Sequence, residues 1–408
     1  MNNHTSGQGP RVLVCQHGAR HRYAVPRMLE KAGILTAFYT DSSASSFLGH
    51  VSALFGSAAP NSMRRLTKRT IKGLPADKVF STDKQYLREL YQEMAGRLPT
   101  GISLYCQRHK ILSKKMIAWG AGGAGIIYSM YHENLDFIRW AKQQGAKSVV
   151  DVFINPETTE IMQHEGERFP SWVQNTDQEA FEFENQLWQE TAELADILLC
   201  PSEWVAEGVR RCSPDATSKI KIVPYGCSID YLGRVNTPVK GRVLFAGGDA
   251  LRKGLHYLGE ASSNLKNRIP ELDIRIAGSL PANVVQHPVC SGLNFLGKLT
   301  FEQMKEEYLS ADVFVLPSLS EGFAGVVAEA IGAGCPVIVT KEAGSPVVPN
   351  REGLVVPSRD VGALTIAIEK IVTNRSLRSA CSANCLKQIS FYSEDQWQKR
   401  LVYILENC

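Results

Sequence analysis

The chain has 408 residues, 44% of them hydrophobic and 21% charged. That length suits two or three domains, and the composition excludes a disordered or fibrous chain. Of 45 Lys+Arg and 41 Asp+Glu in all, residues 1–120 hold 18 and 6 (net +12), which leaves 27 and 35 (net −8) for the remainder.

No run approaches the ~18 apolar residues of a membrane-spanning helix. The opening MNNHTSGQGPRVLV has neither a basic nor a long apolar leader segment. The ten cysteines form no C-x-x-C pair and have no histidine at zinc spacing, so the expectation is reduced thiols in a cytoplasmic protein.

In chain order, VLVCQH (12–17) reads as a strand, Gly18 as a turn, and Val25, Met28, Leu29 and Ala32 as a helical stripe ending at Gly33, before a second strand at 35–40. Residues 41–120 read as short helices and loops. They carry two basic clusters: Arg64, Arg65, Lys68, Arg69 and Lys72, then Arg108, Lys110, Lys114 and Lys115. These suggest attraction to an anionic surface, such as a membrane leaflet or a phosphate-bearing acceptor. Nucleic acid is not expected, because interleaved stacking aromatics and any nucleic-acid motif are missing.

GAGGAG (120–125) spells a dinucleotide fingerprint, G-x-G-x-x-G. A helix starting there would have to swallow IIYSMY (126–131), a stretch of good β propensity. The better parse makes GAGGAG a turn, IIYSMY a strand, and His132 and Glu133 its carboxyl-edge loop. Alternation then continues with a helix at 134–144, a strand at 148–154, a helix at 177–195 and strands at ILLCP and IKIVPYG. Polar residues 228–242 read as a linker. Beyond it, VLFAGG, IRIAGS, VFVLPS, PVIVT and GLVVP are strand-like runs separated by helices, and a last helix begins near 389 with Trp397, Leu401 and Ile404 on one face. The fold class is α/β, with parallel sheets built from βαβ units.

Two constellations carry chemistry. In SLSEGFAGVVAEAIGAGCPVIVT (318–340) a strand feeds a small-residue turn and a helix opening near Ala324–Gly325. The open amides of that helix start make an anion site at the carboxyl edge of a parallel sheet. Glu321 and Glu329 flank it and can accept hydrogen bonds from sugar hydroxyls. In AGGDALRKGLHYL (246–258), Gly247 and Gly248 permit a tight turn, and Arg252 and Lys253 stand before the next helix, placed to clamp a diphosphate.

These residues, with AGS, NFLGKLTFEQMKEEYLSADVFVLPSLSEGF, CPSEWVAEGV and KIVPYG, resemble the retaining glycosyltransferases of family 4, which have the GT-B fold; the likeness covers most of 195–405. It implies two Rossmann-like domains facing a crevice: an acceptor-side domain at 1–236, a nucleotide-sugar domain at 237–389, and a terminal helix at 390–408 that returns to the first. It further implies a catalytic set of Lys253, Arg252 and Glu321, with Arg252 and Lys253 on the donor diphosphate and Glu321 on the transferred sugar. Glu329 would take the ribose hydroxyls, the backbone of Phe323, Ala324, Gly325 and Val326 the phosphate, and Leu296–Leu299 the border of the base. Gly18 would lie near donor phosphate and acceptor, with Arg20, His21 and His132 on the acceptor side.

Two departures stand out. Gly247 and Gly248 occupy the place where many members have a phosphate-binding Arg, and Ala324 replaces a common Gly. No D-x-D occurs, which argues against a divalent cation on the diphosphate. The implied function is metal-independent transfer of a hexosyl group from a nucleotide diphosphate sugar to a hydroxyl of a glycan, lipid-linked or small acceptor, with retention and without a cofactor. The enzyme would be cytoplasmic, with the basic first domain possible on the inner face of the membrane. The alternatives are an epimerase on the same scaffold, separated by formation of a new glycoside, and a non-catalytic nucleotide-sugar-binding protein.

Overall fold

Val12–Gln16 is buried at every position, as are Ile126–Met130 and Val313–Leu316, a pattern that parallel strands covered on both faces require. The computed structural model describes residues 9–56, 66–99, 101–172, 178–227, 235–345 and 347–408. The first domain runs β1 (Val12–Gln16), α1 (Ala24–Lys31), β2 (Leu35–Thr40), α2 (Phe47–Phe55), β3 (Val79–Ser81), α3 (Lys84–Met94), α4 (Gly101–Trp119), β4 (Ile126–Met130), α5 (Leu135–Gln143), β5 (Lys147–Asp151), α6 (Thr158–Arg168), α7 (Gln178–Leu194), β6 (Ile197–Cys200), α8 (Glu203–Cys212) and β7 (Ile220–Ile222). The second runs β8 (Arg242–Ala246), α9 (Leu255–Leu265), β9 (Asp273–Ala277), α10 (Ala282–Val285), β10 (Leu293–Gly297), α11 (Phe301–Ser310), β11 (Val313–Leu316), α12 (Gly325–Gly332), β12 (Val337–Val339), β13 (Gly353–Val355), α13 (Val361–Thr373) and α14 (Arg375–Gln388), and α15 (Glu394–Glu406) ends the chain.

The sheets have the orders β3-β2-β1-β4-β5-β6-β7 and β10-β9-β8-β11-β12-β13. Both reverse direction beside their first strand, which opens a crevice at the carboxyl edge between β1 and β4, and another between β8 and β11. Along β1 the period-2 alternation sorts side chains to two cores. Val12 and Val14 join α1 and α15 on one face, and Leu13 and Cys15 join the α7 and α8 side. The last helix buries Trp397, Leu401 and Leu405 on the first domain, with Arg27–Glu394 at 3.0 Å beside them. Ile404 is only half-buried.

Several sequence expectations change. Residues 41–120 contain a 19-residue helix, α4, rather than only short ones. Two edge strands, β3 and β10, were not anticipated: one is three residues long and the other is half-exposed with a register shift, so neither shows a buried run. The strand expected at 148–154 leaves the ladder after Asp151. GAGGAG forms the turn before β4, with Gly120, Gly122 and Gly123 at positive φ. Sequence order and packing part company at 158–172. That segment follows β5, yet Trp172 sits in the second domain's core with Ile161, Met162 and Phe169 against it. There Glu165 on α6 is fully buried and held by His256, Tyr257 and Arg359, the last at 2.7 Å. Burial raises its pKa, but these three hydrogen bonds outweigh that and hold the carboxyl at about 2.

The domains touch at the loop between β11 and α12. A Cβ on Gly322 would lie 1.7 Å from the carbonyl oxygen of Phe153, and Ser202 Oγ donates to the Gly322 carbonyl at 2.7 Å. Only glycine lets the two backbones touch here. Gly322→Ala is therefore expected to push the domains apart and to lower stability by about 1–3 kcal/mol. Small-angle scattering should show a larger radius of gyration together with a lower melting temperature. An unchanged radius and melting temperature would refute the close contact.

Candidate functional site

Glu321 sits between two cations. Lys253 Nζ lies 2.6 Å from Oε1, and Arg252 NH1 lies 2.8 Å from Oε2. Local backbone fixes this arrangement: Arg252 NH1 also donates to the Ser320 carbonyl at 2.8 Å, and the Leu319 amide donates to the Arg252 carbonyl at 2.8 Å. Asp249 orients the guanidinium from the other side, 2.8 Å from Nε. The Lys253 stem crosses Gly247, where a Cβ would lie 2.1 Å from Lys253 Cδ. A side chain at 247 would therefore displace the Lys253 stem.

Beside the trio, α12 begins at Ala324 without a side-chain cap. Its first-turn amides, preceded by Phe323 and including Gly325 and Val326, present the positive end of the helix dipole. One turn in, Glu329 accepts from the Tyr308 hydroxyl at 2.9 Å. Burial raises the Glu329 pKa, opposed by that hydrogen bond and by the charge of Arg22 from the first domain. Arg22 comes from a turn in which His21, Arg22 and Tyr23 all take left-handed φ of 47°, 52° and 61°, at about 1–2 kcal/mol per residue. Leu299, after β10, is half-buried against the second domain's core, and Gly248 is exposed in the β8–α9 turn.

The first domain holds a cavity of about 880 Å³ at the carboxyl edge of its sheet. Gly18, Arg20, His132 and Glu133 line it, with Arg69 and Arg108 of the basic clusters and with residues that sequence reading missed: His17, Asp41, Tyr105 and His109. The amides of His17 and Gly18 donate to Glu133 and Asp41, both at 2.9 Å, and Arg69 reaches Asp41 at 2.8 Å. Arg20 lies 3.8 Å from Glu133 with its guanidinium 3.5 Å over the Phe153 ring. Burial pushes the His132 imidazole down to about 3, and burial with neighbouring His17, His132 and Arg108 pushes His109 down to about 2. Both stay neutral at pH 7. His132 Nε2 is buried with no hydrogen-bond partner among the described residues. His21 does not line this cavity; it packs edge-on against Tyr225 and Trp397 at 4.4 and 5.2 Å between ring centroids.

The cavity and the Glu321 trio share a wall. Phe153 and Thr158 line the cavity, while Phe153 abuts Gly322 and Thr158 Oγ1 lies 2.7 Å from Ser320 Oγ. The basic clusters resolve differently from expectation. Arg69 and Arg108 are committed to Asp41 and Glu89, Lys68, Lys72, Lys110, Lys114 and Lys115 are exposed, and Arg64 and Arg65 lie outside the described residues. Tyr308 and Arg22 complete the Glu329 side, and no spacing rule in the sequence would have linked them to it.

Asp151, at the end of β5, is fully buried between the hydroxyls of Tyr128 (2.6 Å) and Tyr225. Burial raises its pKa to about 6, against the pull of these two hydrogen bonds and of Arg20. The folded state therefore binds more protons than the unfolded state between about pH 4 and 6, and stability falls as pH rises through that window, by of order 2–3 kcal/mol. In Asp151→Asn this contribution disappears. The melting-temperature difference, variant minus wild type, should rise from pH 4 to 7 and level off above; a flat difference would contradict the assignment.

Residues 240–374 match the family model described as Glycosyl transferases group 1. A D-inositol 3-phosphate glycosyltransferase of Corynebacterium urealyticum is 25% identical over 242 residues, covering 52% of this chain and 57% of that protein. The chain thus spans about half the length of the curated relatives it matches. Among solved structures, sucrose-phosphate synthase from Thermosynechococcus elongatus superposes with a TM-score of 0.70 at 17% identity, over 97% of this chain and 98% of the other. Anabaena HepE in complex with UDP and glucose gives 0.64 at 13% identity, over 98% and 100%. At such identities the superpositions establish the fold alone. Residues 240–374 are thus a group 1 glycosyltransferase domain, set in a chain of two Rossmann-like domains with the GT-B fold.

Proposed function

We propose that the protein transfers a hexosyl group from a nucleotide diphosphate sugar to a hydroxyl acceptor, with retention and without a metal ion. The observation that carries this reading is the pairing of Arg252 and Lys253 on one buried carboxylate beside the open end of α12. Three sources of positive potential converge there, and a diphosphate needs just such a set. The neighbour HepE, whose structure contains UDP and glucose, supports the donor class.

In the ligand-free arrangement Glu321 is the counter-ion of both cations, which holds their side chains in place. An arriving diphosphate competes for them, and Glu321 then becomes free to accept hydrogen bonds from hydroxyls of the bound sugar. As the glycosidic bond breaks, negative charge grows on the β-phosphate. Lys253, Arg252 and the α12 dipole are already aimed at it, so they stabilise the transition state more than the ground state. Glu329, buried and oriented by Tyr308, takes the ribose hydroxyls. The acceptor enters from the first-domain cavity, across the wall formed by Phe153 and Thr158. No side chain is assigned as nucleophile.

Lys253→Ala should lower kcat by about 10²–10³, with a much smaller change in donor KM. A folded variant with unchanged kcat would overturn the role of Lys253 and, with it, the donor-site assignment. Calorimetry separates the two carboxylates. Glu329→Ala should weaken binding of the bare nucleoside diphosphate, whereas Glu321→Ala should leave that nearly intact and weaken the sugar-bearing donor. The reverse ordering would mean that their roles are exchanged.

A further inference from the structure

Helices α2 and α3 turn their apolar residues outward. In α2 the buried positions are Leu48, Gly49 and Ser52, while Phe47 and Leu54, on the opposite face, are 71% and 87% exposed. In α3 the buried residue is Gln85, while Leu87, Tyr91 and Met94, spaced i, i+4, i+7, are 47%, 73% and 81% exposed. A helix lying against water has the opposite polarity. The two helices are tied at their starts, where the Leu48 amide donates to Asp83 at 2.8 Å.

Beneath them lies the first-domain cavity, and its two walls differ. The wall supplied by α2, α3, α4 and their connections carries Leu48, Leu90, Leu98, Leu104 and Leu112. Of its charged side chains, Arg69 and Arg108 pair with Asp41 and Glu89, and Glu93 stands beside the leucines. The wall supplied by the strand ends is the more polar, with His17, Arg20, Glu133, Asn155 and Thr158 beside Phe153 and Ile154, and is the one that touches the Glu321 loop. A cavity that is polar toward the transferred sugar and leucine-lined toward an outward-facing apolar patch fits a molecule with a hydroxyl-bearing head and an apolar tail. Lys84, Arg88 and Arg97 are exposed along and just beyond α3, within a stretch whose balance is +12 over residues 1–120. That charge complements anionic headgroups.

We propose that the outer faces of α2 and α3 rest on an anionic lipid bilayer and that the acceptor is an amphiphile drawn from it, its chain along the leucine wall and its head at Arg20. This deepens the glycosyltransferase reading and rests on it for the acceptor half.

The test is flotation of the full chain with vesicles of phosphatidylcholine with or without phosphatidylglycerol. Wild type should float with the anionic vesicles, less so as salt rises, and only weakly with neutral ones. Leu87→Ser/Tyr91→Ser/Met94→Ser, and separately Phe47→Ser/Leu54→Ser, should each reduce flotation by about tenfold or more. Thermal stabilisation by a nucleoside diphosphate should persist in both variants, showing that they are folded. Dodecyl maltoside below its micellar concentration should bind wild type more tightly than maltose does, and Leu104→Ser should remove that advantage. Flotation unchanged in both multiple variants, no flotation of wild type, or a wild-type dimer that the variants convert to monomer would overturn the membrane surface. Equal binding of maltose and dodecyl maltoside would overturn the amphiphilic acceptor. Wild type that floats but is stabilised by no nucleoside diphosphate would instead sink the glycosyltransferase reading and leave the membrane surface standing.

Discussion

The loop from Ser318 to Ala324 has to satisfy two domains at once, and the arrangement of the site depends on that constraint. Its backbone lies against the second domain through Glu321 N to Glu342 O at 2.8 Å and Ala324 N to Ala343 O at 3.1 Å. It meets the first domain through Gly322 against Phe153 and through Ser320 against Thr158. With both sides fixed, the loop places Glu321 against Arg252 and Lys253. A loop pinned by backbone contacts holds its side chain more tightly than one pinned by side chains alone, which is the preorganisation that charge stabilisation requires.

Charge in this protein is largely paired, and pairing decides what each cation can do. Arg252 and Lys253 share Glu321, Arg252 also has Asp249, and Arg69 and Arg108 each face a carboxylate. Beside Arg252 and Lys253 the uncapped start of α12 adds further positive potential. The buried histidines of the first-domain cavity follow the opposite logic. They are kept neutral by desolvation rather than held as cations.

The segment between β2 and β4 gives the first domain its individuality. A Rossmann-like unit needs only a short crossover there, yet this chain inserts α2, α3 and α4, which wall off the cavity and carry the outward apolar faces. The strands beneath it are ordinary βαβ units, and what the insert adds is a second chemical character on one side of the first-domain cavity.

By itself the sequence determined the α/β class, the inner strand runs of both sheets but not the edge strands β3 and β10, the turn at GAGGAG, and the group of Arg252, Lys253 and Glu321 with the helix start at 324. Each is a local pattern: a continuous apolar run, a glycine punctuation, or charged residues at fixed offsets from a strand end. The tertiary structure alone decided which distant residues meet. Phe153 against Gly322, Tyr308 on Glu329, Glu165 among His256, Tyr257 and Arg359, and the pairing of Arg69 with Asp41 join positions between about 20 and 200 residues apart. The insert at 41–120 was the least legible segment for the same reason. Two of its helices, α2 and α3, carry apolar residues on the face turned away from the core, so their periodicity conflicts with the rule by which a buried face is recognised.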